Sequence, residues 1–129
     1  MPVFQPAEQA AAQLCEGMSP PGRYKAITRY ITENYCYDYI RAFAVKKRGA
    51  MPDLLSCWKK KSGICLDLAS LTVVMLRAVE IPSQLVIGYA DRQYHAWVEV
   101  YPGGSMIRFD PTAEICHKKV SQYSAERRY

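Results

Sequence analysis

The chain has 129 residues, half of them apolar, and a formal net charge of +5. That is enough apolar material for one compact domain, 1–129, with a core over about residues 20–115 and an N-terminal helix and a polar C-terminal tail as extensions. No uncharged apolar run reaches eighteen residues, which excludes a membrane-spanning helix, and Met1 to Cys15 lacks the basic start and apolar block of a secretory signal.

Residues Pro6 to Glu16 are rich in Ala and Gln and predict a short helix ended by Gly17. Ser19-Pro20-Pro21-Gly22 has helix-start chemistry. Tyr24, Ile27, Ile31 and Tyr35 then recur at helical spacing. The tyrosine-rich stretch Tyr35 to Tyr39 either continues that helix or leaves it. Gly49 to Asp53 is a turn, and Asp53 can cap a short helix through Trp58. After the break at Ser62-Gly63, Ile64 to Glu80 runs without Gly or Pro and is apolar on two sides, so it is the expected buried central helix, stopped by Ile81-Pro82.

The period then changes. Gln84 to Tyr89 is aliphatic, Tyr94 to Tyr101 alternates, and Arg108 to Asp110 follows a Pro102-Gly103-Gly104 turn. Helices followed by hairpin-linked strands predict an α+β domain with an antiparallel sheet. Thr112 to Tyr129 is polar and is expected to include a loose helical tail.

The basic clusters Lys46-Lys47-Arg48, Lys59-Lys60-Lys61, Lys118-Lys119 and Arg127-Arg128 read as solvated loops and helix ends. No stacking platform or glycine-rich phosphate loop accompanies them, so no nucleic-acid partner and no cofactor is expected. The five cysteines contain no C-x-x-C, and nothing nearby extends the Cys116-His117 pair, so no metal is expected either.

One constellation can carry chemistry. In the alternating strand His95, Trp97, Glu99 and Tyr101 share a face. A hairpin centred on the glycine turn brings Asp110 beside His95, where a carboxylate would fix the imidazole tautomer. Cys65 stands first in the central helix. Unpaired N–H groups and the helix dipole there favour a thiolate, and Gly63 would let backbone or substrate approach the sulfur. Taken singly, Cys65 reads as a small core residue, His95 as a strand or hydrogen-bonded core residue and Asp110 as a turn residue. Asp67 is a first-turn acid that steadies the helix dipole, although its charge slightly opposes thiolate formation. It is the combination, each member at the edge of its element, that points to nucleophilic catalysis.

The segments G-I-C-L-D-L-A (63–69), M-L-R-A-V-E-I-P (75–82), Y-H-A-W-V-E-V-Y (94–101) and F-D-P-T (109–112) resemble the transglutaminase-like superfamily. Only Glu80 departs, standing where the family pattern has glycine, and a local adjustment at the helix end is expected there. The resemblance implies a papain-like α+β core with the Cys-bearing helix packed on an antiparallel sheet. It implies Cys65 as nucleophile, His95 as general base and acid, and Asp110 as the orienting carboxylate. Tyr37, Tyr39 and Trp58 are candidates for the upstream oxyanion or substrate side chain, with core packing as the alternative for each. The expected function is a cysteine peptidase or amidase acting on a peptide or protein substrate. Acyl transfer to amines and an idle binding domain are the alternatives. The same resemblance leans towards an extracytoplasmic setting with a signal removed, the alternative being cytoplasmic.

Overall fold

A computed structural model describes residues 4–48 and 51–129, and the side chains of 46–48 fall outside the description. Helix α1 (Gln5–Leu14) presents Ala7 and Ala11, and Cys15 follows at its end; these small buried residues let it lie close to the central helix. Helix α2 (Pro20–Asn34) starts on its two prolines, whose fixed φ suits a first turn. Its Ile27 and Ile31 are fully buried, as the spacing predicts. The tyrosine-rich stretch then leaves the helix. Cys36–Tyr37 forms a short strand, β1, and Asp38 caps α3 (Tyr39–Arg48) by accepting the Arg41 N–H at 2.9 Å. Asp53 caps α4 (Leu54–Lys60) as expected, although Gly49 and Ala50 of the preceding turn lie outside the described residues.

Ser62–Gly63, expected only as a break, is strand β2. It pairs in parallel with β1, Cys36 opposite Ser62 and Tyr37 opposite Gly63. The bonds Cys36 N–H to Lys61 O (3.0 Å) and Asp38 N–H to Gly63 O (2.9 Å) fasten the chain just before Cys65 to the chain just before α3. Helix α5 (Cys65–Ala78) follows, with Leu68, Leu71, Met75 and Leu76 fully buried. It packs against α1, α2 and α4 on one side and the main sheet on the other.

That sheet has the order β5-β4-β3-β6 and is antiparallel throughout: β3 (Ser83–Ala90), β4 (Gln93–Val100), β5 (Ile107–Phe109) and β6 (Tyr123–Arg128). Ala96, Val98 and Val100 face the core that α5 fills. The opposite face of β4 is buried as well. Trp97 is 1% exposed and Glu99 5%, so something must cover them.

The cover is β6, which corrects the expectation of a loose helical tail. After a one-turn helix, α6 (Pro111–Ile115), the chain returns as an edge strand beside β3. Tyr123 meets Trp97 edge-on at 4.9 Å, and Arg128 grips Glu99 with both nitrogens at 2.7 and 3.2 Å. Gly88 makes the approach feasible. It opposes His95, so it shares the face of His95 and Trp97, and it presents no side chain there. A Cβ at Gly88 would collide with the Ser124 carbonyl and lie 2.9 Å from the Ala125 Cα. The β3–β6 register shifts at this point, between Ile87 and Gly88. Among the described residues no helix is long and apolar enough to cross a membrane.

Candidate active site

The hairpin register pairs Val98 with Phe109 and Glu99 with Arg108. Carried one step on, it sets Asp110 across from Trp97 and diagonal to His95, on the same face. The side chains meet there, with His95 Nε2 2.8 Å from Asp110 Oδ2. Both are largely buried, at 15% and 5% side-chain exposure. Asp110 also caps α6, accepting the Ala113 N–H on Oδ1 at 3.1 Å, which fixes its rotamer.

Cys65, half-buried at the first turn of α5, bears on the same imidazole and raises its basicity. Since Nε2 is engaged by Asp110, Nδ1 is the ring nitrogen left for the thiol. Burial alone would lower the basicity of His95. The Asp110 hydrogen bond and the Cys65 sulfur outweigh it and raise its pKa to about 9. In Asp110 the balance runs the other way. Burial opposes ionisation, but the bonds from His95, Ala113 and Tyr123 hold its pKa below the ordinary aspartate value. The ring therefore favours the imidazolium, the form that stabilises an adjacent thiolate and can later protonate a leaving group.

Asp67 has a larger role than steadying the helix dipole. It is 1% exposed and gathers donors from three elements. Arg41 on α3 reaches it twice, at 2.8 and 3.1 Å, and the Ile64 and Asp53 N–H groups each donate at 2.9 Å. Arg41 neutralises the charge that was expected to oppose a thiolate. This cluster also gives Gly63 a packing role. A Cβ there would stand 2.8 Å from the Asp67 Cβ and 3.0 Å from the Cys57 sulfur. The close approach of Asp67 and Cys57 by itself requires the glycine.

The three oxyanion candidates separate. Tyr37 is half-buried opposite Gly63, two residues before Cys65, and its hydroxyl is pushed up to about 12 by burial first and then by the Cys65 sulfur. Tyr39 packs edge-on against Tyr37 at 4.9 Å and has its hydroxyl 3.8 Å from the Cys116 sulfur, on the outer side. Trp58 belongs to a different cluster, with Phe4, Tyr30 and the Lys61 ammonium 3.8 Å above its ring. The structure thus brings Tyr37 to the Cys65–His95–Asp110 group, leaves Tyr39 at its margin and sets Trp58 in packing. Sequence reasoning missed Arg41 and Tyr123. The only signal for Tyr123 was its place in a Tyr-Ser-Ala alternation, too short to stand out in a polar tail.

A thiol at the head of a helix, packed against an antiparallel sheet that carries a histidine–aspartate pair, defines the papain-like class of folds. Within it, the chain belongs to the transglutaminase-like superfamily, whose family model matches residues 8–111. An uncharacterized protein of Mycobacterium leprae (strain TN) is 32% identical over 65 residues, which takes in 41% of this chain and 23% of that protein. Among solved structures, a candidate cysteine protease from Cytophaga hutchinsonii superposes with a TM-score of 0.64 at 21% identity, covering 97% of this chain and 49% of that one. The periplasmic domain of TgpA from Pseudomonas aeruginosa does so with a TM-score of 0.68 at 22% identity, covering 91% and 45%. The chain therefore spans less than half the length of each of these relatives. The two solved structures share its fold, and the superfamily itself is one of thiol-dependent enzymes.

Proposed function

We propose that the chain is a cysteine peptidase or amidase working through Cys65, His95 and Asp110. The observation that carries the reading is the 2.8 Å His95–Asp110 contact, on an imidazole whose basicity Asp110 and Cys65 together raise. In the first half-reaction the Cys65 thiolate attacks the amide carbonyl and a sulfur–carbon bond forms. The C–N bond breaks as His95 gives its proton to the departing amine. In the second half water attacks the thioester, His95 takes a proton from it, and the carboxylate leaves Cys65. The first N–H groups of α5 would bind the developing oxyanion, with the Tyr37 hydroxyl as a side-chain donor. Likeness to the candidate cysteine protease of Cytophaga hutchinsonii favours water as acceptor; an amine in the same position, as likeness to a TGase structure favours, would make the reaction a transamidation.

The test pairs chemistry with turnover. Iodoacetamide should alkylate Cys65 at pH 6 at least tenfold faster than free cysteine, since an unperturbed thiol of pKa about 8.5 is almost wholly protonated there. Cys65→Ser should abolish labelling at that site, and His95→Ala should slow it to the free-cysteine rate. Hydrolysis of peptide and isopeptide substrates is then run beside incorporation of a dansylated amine. A thiol no more reactive than free cysteine and indifferent to His95→Ala would leave only a binding domain on this fold.

A further inference from the structure

Asp110 carries one more donor than its position in the hairpin accounts for. The Tyr123 hydroxyl donates to Asp110 Oδ2 at 2.9 Å, onto the same oxygen that His95 Nε2 meets at 2.8 Å. A carboxylate oxygen offers two lone-pair directions, and here both are taken by groups from different strands. The other oxygen accepts the Ala113 N–H, so all three contacts lock the carboxylate plane. Tyr123 is itself held on two sides. Trp97 packs edge-on at 4.9 Å, and the Arg108 guanidinium lies 4.1 Å from the ring centroid. Trp97 in turn stacks beside His95 at 6.2 Å, so the aromatic wall and the hydrogen bond come from one strand.

We infer that Tyr123 is a positioning residue for the proposed reaction, holding Asp110 ionised and aimed at His95 Nε2. The inference rests on the Cys65–His95–Asp110 reading and assigns part of that site to β6, beyond the 8–111 match. Without the hydroxyl, the carboxylate keeps its cap from Ala113 but can turn about its last torsion. It also loses a donor that favours its charged form. The Tyr123 hydroxyl is pushed up by burial and then by the Asp110 charge, so it stays protonated and remains a donor across the working range.

The conservative variant is Tyr123→Phe, which keeps the ring against Trp97 and Arg108 and removes only the hydroxyl. Two readouts separate positioning from folding. In protein labelled with carbon-13 at the aspartate carboxyls, the Asp110 titration midpoint should rise by roughly half to one pH unit in the variant. In iodoacetamide kinetics followed across pH, the acid limb for Cys65 should move up alongside it, with the plateau rate reduced about threefold or more. A variant with the wild-type Asp110 midpoint and acid limb overturns the inference, whatever its thermal stability. Failure of the underlying reading shows elsewhere, as wild-type Cys65 kinetics that follow free cysteine, and then the Tyr123 assignment falls with it.

Discussion

His95 holds its proton more firmly than a free imidazole, and that has a consequence for stability with a definite sign. Its pKa is raised to about 9 in the folded chain, against an ordinary value of 6.5. The stabilisation is therefore fully present below the unfolded value and is lost as pH rises through the folded one. Between pH 6.5 and 9.5 the wild type should lose roughly 2–3 kcal/mol that a His95→Gln variant does not, measured as urea midpoints under reductant. Asp110 reports the same pair from its other side, with a contribution present at neutral pH and lost as acid protonates it, so the two are counted once. Sequence reading named Cys65, His95 and Asp110 because each carries its signal locally, at the edge of a well-marked element. Tyr123 and Arg41 act through partners 13 and 26 residues away, and no local pattern announces them.

At the scale of elements, the long periodic segments were legible and the short ones were not. Helix α5 and strand β4 read directly from their apolar spacing. The pair β1–β2 is two residues on each side, too short for any period, and is defined by its parallel register alone. The end of α5 shows a departure absorbed by the backbone. Glu80 adopts φ +63, the left-handed conformation that glycine takes freely and that the family pattern supplies with glycine. Glu80→Gly should relieve that strain and raise stability by about 0.5–1 kcal/mol, read as a higher melting temperature, with the gain limited by the added freedom of glycine in the unfolded chain.

For the whole molecule, the polar C-terminal segment changes from an accessory to a wall of the fold. It escaped the sequence reading because an edge strand with one side in water shows few apolar residues, and Tyr123 and Ala125 are its only half-buried positions. Gly88 is the point on which its docking turns. Gly88→Ala should drive the new Cβ into the Ser124 carbonyl and cost roughly 2 kcal/mol. Amide hydrogen exchange should then show protection lost along β6 and retained along β4; equal protection in both strands would count against this account.

That docking also sets an order of events. Synthesis runs from the N-terminus, so the segments bearing Cys65, His95 and Asp110 leave the ribosome before the one bearing Tyr123. A nascent chain can assemble its sulfur, imidazole and carboxylate while the second lone pair of Asp110 Oδ2 is still open to water. The arrangement closes only when β6 lies down across Gly88, so the site gains its last donor after its three reacting groups have been made.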